Sequence, residues 1–282
     1  METPSHSSNE DNVPFTCVQY KPEKIIALPD LRIGDVHTDL PEVHNCLQRY
    51  GYLRQGSITS LDILEDTSIS ALKKFQKFYN IPESGTVDKE TRNAMAQTRC
   101  ALPDFNGQSL DANVSGPWQH RDLRYAMGNL SSAVLPSVCQ GAIRRALNTW
   151  VDTGVGVTFT EVPSTESYDI FIEWRPADDP DHSMVGPILA HADFPPGFSI
   201  IVREPPLPLH FDDQEHHWVD GALQDAFDIE TTCLHEMGHC LGLYHSSDPN
   251  SIMFPTVSPN HKRRALGSDD VEGIRNLYAT GL

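Results

Sequence analysis

Long apolar segments are missing from this chain of 282 residues. It contains no run of eighteen apolar residues, so no membrane-spanning helix is expected. Basic residues are also scarce. The chain has 21 Lys and Arg but 39 Asp and Glu, which gives a net charge of −18. This negative charge repels phosphate backbones and anionic lipid, which argues against a nucleic-acid partner. The same charge suits a protein that holds several cations.

The first residues also lack the features of a secretory signal. METPSHSSNEDNVPF contains neither a basic n-region nor an apolar h-region. Six cysteines permit disulfides without requiring them, and Cys46 and Cys139 fall in helical apolar patterns typical of buried thiols. The residues alone therefore assign no compartment.

Composition divides the chain into four segments. Residues 1–22 are polar and are expected to be a disordered tail. Residues 23–104 carry three short helical patterns, and residues 105–117 are rich in turn formers and predict a linker. Residues 118–282 mix strand-like and helical patterns around one core. The expected class is α+β, or mixed α/β, with a small helical domain first.

Local signals mark several helix ends. Gly51 should end a first helix, Thr67-Ser68 should cap a second, and Asp88 should cap a third. Ser268 should open the last helix of the chain. Strands are predicted at LRYAM, VTFTEV and DIFIEW, whereas residues 176–220 are interpreted as mainly loop.

The string HEMGHCLGLYH carries the chemistry. On a helix, His235 and His239 are four residues apart and project from one face, so both can bind one Zn²⁺ at about 2.0–2.1 Å. Glu236 lies beside them, placed to take a proton from metal-bound water. Gly242 permits positive φ, which ends the helix and brings His245 round as third ligand. Three protein ligands leave one position open, which is typical of a catalytic zinc.

Further strings extend this pattern. Met253 in SIMFP follows His245 by eight residues and can form a methionine turn beneath the metal, as in metzincins. With LAHADF, HFDDQE, SDDVEGIRNLY and FTEV, the second half of the chain resembles the matrix metalloproteinases, or matrixins. LQRYGYL and ALKKFQKFYNIPESGTVDKETRNAM resemble the peptidoglycan-binding-like helical domain found in matrixin propeptides. The resemblance implies a helical prodomain over residues 23–104, then a metzincin domain with a twisted, mostly parallel sheet and three helices.

The same resemblance implies a function. A matrixin is a zinc-dependent endopeptidase, made as a latent zymogen, that hydrolyses internal bonds of protein or peptide substrates with zinc-bound water and a glutamate base, here Glu236. The family acts mainly outside cells, on extracellular matrix, and a monomer is expected. An alternative is a cell-wall or polysaccharide binding module with a degenerate, non-catalytic metzincin domain. The intact Glu236 argues against that alternative.

The string TRCALPD, residues 98–104, resembles the matrixin cysteine switch PRCGxPD. By this resemblance Cys100 is an inhibitory zinc ligand that displaces the catalytic water, and the prodomain is an intramolecular inhibitor. Arg99 can pair with Asp104 and fix the loop. Glycine usually follows the cysteine and lets the backbone lie close to the cleft. The methyl group of Ala101 is therefore expected to loosen or redirect the switch.

Matrixins also hold a structural zinc and calcium. The LAH and HFD strings supply two structural-zinc ligands, His191 and His210. The family's HGD segment is missing, so His182 is the third choice and Asp179 the fourth. The interval from His191 to His210 is 19 residues, longer than usual for the family, through SIIVREPPLPL.

The calcium positions of the family fall in HFDxxE. Asp212 and Glu215 match them, and hard calcium prefers such carboxylate oxygens. A solvated acidic loop is the alternative interpretation. The neighbouring His216 and His217 are interpreted as surface residues.

Overall fold

A computed structural model describes residues 18–104, 114–202 and 204–279. The expected tail therefore lies outside the described residues up to residue 17, and the expected linker does so from residue 105 to 113. No helix of the described ranges is long and apolar enough to cross a membrane.

The N-terminal part is a small helical domain. Its helices are α1 (Pro22–Ala27), α2 (Leu40–Arg49), α3 (Asp66–Phe78) and α4 (Lys89–Met95). Asp88 caps α4 as predicted, because its side chain accepts the backbone N–H of Thr91. Gly51 follows the end of α2 with φ 85°, also as predicted. The predicted cap of α3 was wrong by two residues, since Glu65 occupies that position and Ser68 is buried, with its hydroxyl 2.8 Å from His44 Nε2.

The second part is a mixed α and β domain. A six-stranded sheet has the order β1-β5-β6-β4-β2-β3, and every pair is parallel except β5 with β6. This confirms the mostly parallel sheet. Its strands are β1 (Arg99–Cys100), β2 (Asp122–Met127), β3 (Thr158–Glu161), β4 (Ile170–Arg175), β5 (Ile188–Ala192) and β6 (Leu207–Asp212). A two-stranded sheet pairs β7 (Trp218–Val219) with β8 (Phe227–Asp228).

Within the described residues of this domain there are three helices, as expected: α5 (Pro136–Val151), α6 (Ile229–Cys240) and α7 (Ser268–Ala279). The indole of Trp150 on α5 is fully buried and donates to the carbonyl of Leu234 on α6 at 3.0 Å. Residues 176–220 are mainly loop, as interpreted, but they also contain the strands β5 and β6, which the sequence did not predict. Every residue of both strands is buried, so neither shows the alternation of a half-exposed strand.

The two parts meet at the edge of the large sheet. Strand β1, the end of the helical part, pairs in parallel with β5. The amide of Cys100 donates to Pro255 O at 3.0 Å, and that of Ala101 donates to Ala190 O at 3.0 Å. On the helical side, the ring of Tyr79 packs edge-on against Phe254 with centroids 5.8 Å apart. The segment that contains Cys100 and Ala101 therefore joins the helical domain to the second domain at this edge.

Candidate metal centre

Helix α6 carries the first two histidines. Its N-cap Asp228 accepts the amide and the hydroxyl of Thr231, which fixes the start of the helix. The helix ends at Cys240, and Gly242 follows with φ 105°. A side chain at Gly242 would also meet the carbonyl oxygen of Gly116 at 2.5 Å, so only glycine fits. This turn returns the chain so that His245 faces the helix.

The three imidazoles converge on one point. His239 Nε2 lies 3.2 Å from His235 Nε2 and 3.2 Å from His245 Nε2. The Sγ atom of Cys100 lies 3.6 Å from His239 Nε2. Tetrahedral Zn²⁺ with ordinary bond lengths separates two nitrogen ligands by about 3.4 Å, and nitrogen from sulfur by about 3.6 Å. The four side chains therefore fit a tetrahedral zinc ion.

Each imidazole is held by a hydrogen bond from its other nitrogen. His235 Nδ1 donates to Ile252 O and His239 Nδ1 donates to Leu243 O, both at 2.7 Å. These bonds fix the tautomer that leaves Nε2 free to bind a metal. His245 Nδ1 instead donates to Asp104 Oδ1 at 2.9 Å. The sequence did not predict this contact, because the two residues lie 141 positions apart.

Glu236 and Cys100 face each other beside the histidines. The thiol lies 3.5 Å from Glu236 Oε2, and the amide of Leu102 donates to the sulfur at 3.4 Å. Both side chains are almost completely buried. The thiol therefore occupies the space between the histidines and the carboxylate, where a water molecule would otherwise lie.

Burial sets the protonation of these groups. It lowers the pKa of His235 to about 3 and that of His239 well below its ordinary value, so both rings are neutral, as metal ligands must be. Burial raises the pKa of Glu236 to about 8. Burial and the Glu236 carboxylate raise the pKa of the Cys100 thiol, whereas a coordinated metal would deprotonate it.

An ion pair holds residues 98–104, the segment that carries Cys100, in place. The guanidinium of Arg99 contacts both oxygens of Asp104 at 2.6 and 3.2 Å, the pairing expected from the sequence. It also donates to Leu102 O and lies 3.4 Å from the centre of the Tyr50 ring. Burial alone would raise the pKa of Asp104, but Arg99 and His245 outweigh it and lower this pKa to about 2. Asp104 is therefore a carboxylate that links the helical domain to a histidine of the metal centre.

The expected misfit of Ala101 is absent. Among the described residues, those other than glycine with positive φ are Asn80, Asp225 and Asn260, so Ala101 has an ordinary backbone conformation. Its methyl group is fully buried in the core of the helical domain, together with Met184 and Ile188. The methyl is packed rather than strained, and its effect on latency stays a prediction.

The variant Ala101→Gly should therefore weaken the binding of residues 98–104 to the second domain. Glycine in an extended segment costs about 0.5–1 kcal/mol relative to alanine, which corresponds to about two- to fivefold more of the released form. Residual peptidase activity of the full-length protein measures this release. Lower residual activity in the glycine variant would show that the methyl is strained after all.

Met253 lies beneath the histidines. A Cβ added to Gly238, between the two histidines of α6, would lie 2.3 Å from its sulfur. The turn that presents Met253 is held by buried Asp270, which accepts the amides of Ile252 and Met253 at 2.8 and 3.2 Å. The methionine therefore packs directly against the metal-binding stretch of helix.

A second group of donors includes one histidine of β5 and one of β6. Ligand atoms of Asp179, His191 and His210 all lie within 4.8 Å of one another. Asp179 Oδ2 is 3.1 Å from His191 Nε2 and 2.7 Å from His210 Nδ1. His182 is not part of this group, but its ring centroid lies 5.5 Å from that of His191, and its ring hydrogen-bonds the backbone of Ala101. The structure thus brings together three of the four predicted residues, with Asp179 at the centre.

The predicted calcium residues are held by backbone amides. Asp212 Oδ1 accepts the amides of Gln214 and Glu215, and Glu215 Oε2 accepts the amide of Gly186 at 2.7 Å. The other oxygen of Asp212 is buried without a hydrogen-bond partner, and burial raises the pKa of this carboxyl to about 6. The interpretation of His216 as a surface residue was wrong, because its ring is 2.9 Å from Ile188 O and packs on Phe227.

Three histidines with an adjacent glutamate, above a methionine turn, define a metal centre of the metzincin type. Residues 117–279 match the family described as Matrixin, and residues 37–95 match the family described as "Putative peptidoglycan binding domain". The chain therefore belongs to the matrixin family.

Relatives agree with this assignment. Metalloendoproteinase 1 of Glycine max is 32% identical over 87% of this chain and 83% of its own length. Matrix metalloproteinase-16 of Rattus norvegicus is 33% identical over 82% of this chain and 40% of its own length. The hatching enzyme of Paracentrotus lividus is 32% identical over 83% of this chain and 38% of its own length. The chain thus spans less than half the length of most of these relatives.

Proposed function

We propose that the protein is a zinc-dependent endopeptidase, made as a latent zymogen, that cleaves internal bonds of protein or peptide substrates. The observation that carries this proposal is the convergence of three imidazoles and one thiol on a single point, with a buried glutamate beside them. A polysaccharide binding module is not favoured. The candidate stacking rings of the helical domain, Phe75, Phe78 and Tyr79, are buried in its core.

Each residue of the metal centre would have its own role in peptide hydrolysis. His235, His239 and His245 would hold the zinc through Nε2. Bound Zn²⁺ would lower the pKa of a water molecule to about 7 and polarise the peptide carbonyl. Glu236, with its pKa raised by burial to about 8, can take up a proton near neutral pH and deliver it to the leaving amine. Met253 supports the helix from below.

Latency follows from the position of Cys100. Its sulfur lies beside the three histidines, where it would be the fourth ligand of a bound zinc, and it fills the space next to Glu236. Arg99 and Asp104 hold the segment, and Asp104 also orients His245 while the helical domain is bound. Removal of this domain would free the fourth position and break the bond between Asp104 and His245.

We also propose a structural zinc at His191, His210 and Asp179, with His182 as a more distant candidate. Imidazole nitrogens and a carboxylate are donors that zinc accepts. Calcium is proposed at Asp212 and Glu215, supported by the buried Asp212 oxygen that has no hydrogen-bond partner.

The variant His191→Ala should lose the second zinc and become less stable by roughly 1–3 kcal/mol, the range of most damaging substitutions. Zinc per chain and the free energy of unfolding in denaturant measure both effects. The matched control is His217→Ala, an exposed histidine of the same region. One zinc per wild-type chain would remove the structural site from the proposal.

A peptide-cleavage assay tests the function itself. The full-length protein is cut within residues 105–113 at an introduced protease site, and a mixed peptide library is incubated with the product. We expect cleavage at internal bonds, abolished by a chelator and restored by Zn²⁺. Cleavage that is unaffected by the chelator, or none from the zinc-loaded product, would contradict the proposal.

A further inference from the structure

The segment between β5 and β6 forms a wall beside the metal centre. It begins at Asp193, which is fully buried. The Asp193 carboxylate accepts four backbone N–H groups at 2.6–3.0 Å. These amides belong to Phe194, Ile200, Ile201 and Val202. One side chain therefore folds the whole stretch 193–202 back on itself.

The tip of this wall has a second anchor. A Cβ added to Gly116 would lie 2.0 Å from Cζ of Phe198, so the ring packs directly on the glycine backbone. The hydroxyl of Ser199 also donates to Phe194 O at 2.9 Å. Since the wall is fixed at its base and its tip, its shape is set before any substrate binds.

The inner face of the wall is apolar and adjoins the metal ligands. The ring of Phe194 is buried, with its centroid 5.6 Å from that of His239 and 4.6 Å from that of Tyr244. Cys100 and Leu102 form a buried cluster with Phe194, and further apolar side chains pack against this cluster. These further side chains are Ile200, Ile201 and Tyr244.

Phe194, Ile200, Ile201 and Tyr244 form an apolar pocket, and Leu102 occupies it. Its side chain is fully buried in the pocket, yet it belongs to the segment that must leave when the enzyme is activated. Cys100 would leave with Leu102, whereas Phe194, Ile200, Ile201 and Tyr244 belong to the second domain and would remain. Leu102 lies two residues from Cys100, whose sulfur lies at the metal centre, 3.6 Å from His239 Nε2, and the scissile bond would also lie at this centre. An extended chain covers about 7 Å in two residues.

We propose that residues 193–202 form a specificity pocket that selects a bulky aliphatic side chain of the substrate, two residues from the scissile bond. This inference rests on the proposed endopeptidase function. The Asp193 carboxylate does not make the pocket polar, because its oxygens are taken up by the four amides. Leu102 occupies the pocket in the latent protein as a substrate side chain would in the active enzyme.

The test compares peptides that carry Leu, Ala or Asp two residues from the scissile bond, on either side. The enzyme is the full-length protein cut within residues 105–113. We expect kcat/KM to favour Leu over Ala by at least about tenfold on one side, as apolar pockets do. In the double variant Ile200→Ala, Ile201→Ala, this ratio should approach one. Leu223→Ala, an exposed apolar residue between β7 and β8, should leave the ratio unchanged.

A second measurement uses the uncut protein. Leu102→Ala should raise its residual activity and Leu102→Asp should raise it further, in the order that the substrate peptides show. Unchanged ratios in the double variant, or equal latency in the Leu102 series, would overturn the pocket while peptide cleavage itself stands. No cleavage of any peptide would overturn both the pocket and the endopeptidase function.

Discussion

Glu236→Ala should bind zinc as the wild type does and lose most of its turnover. The three imidazoles and their hydrogen bonds to Ile252, Leu243 and Asp104 do not involve this carboxylate, so the metal site should persist. The proton acceptor disappears, and general acid–base catalysis is typically worth about 10²–10⁴-fold. Zinc per chain and kcat/KM on one peptide, measured after cleavage within residues 105–113, give both quantities.

The matched control for this variant is Glu272→Ala, an exposed carboxylate on α7. It should keep full activity and full zinc. Near-wild-type turnover in a zinc-loaded Glu236→Ala protein would show that another group accepts the proton. Loss of zinc together with activity would show that the carboxylate supports the site rather than the proton transfer.

Cys100→Ser should make the uncut protein active. A hydroxyl is a far weaker zinc ligand than a thiolate, so water should enter the fourth position while the helical domain is still in place. A loss of only ~1.4 kcal/mol in binding of the segment already releases it tenfold more often. We therefore expect more than about tenfold higher activity than in the uncut wild type, and thiol-modifying reagents should have no further effect.

Cys139→Ala is the control, because that thiol is buried on α5 and is not among the ligand atoms of the metal centre. It should remain latent. If uncut wild type and cut protein cleave a peptide equally fast, Cys100 does not block the metal. The helical domain would then be a folding aid or a targeting domain.

The sequence predicted the centre well where local geometry determines it. Four-residue spacing fixes the relation of His235 to His239, and a glycine after the helix is sufficient to turn the chain toward His245. Local sequence patterns did not predict the contact of Asp104 with His245, two residues that are far apart in the chain. The bond between Asp104 and His245 depends on how the helical domain docks, which no short pattern records.

The errors have physical causes of the same kind. Strands β5 and β6 are buried on both faces, so their sequences do not alternate and resemble loop where proline and histidine interrupt them. Ala101 looked strained only because glycine is usual there, whereas its conformation in this chain is ordinary.

X-ray absorption at the zinc edge tests most directly whether one metal joins the histidines to Cys100. The uncut wild-type protein should show one sulfur per chain at about 2.3 Å from zinc, with nitrogen at about 2.0–2.1 Å. The sulfur should vanish in Cys100→Ser and after removal of the helical domain. A wild-type spectrum without sulfur, at full zinc loading, would contradict the account.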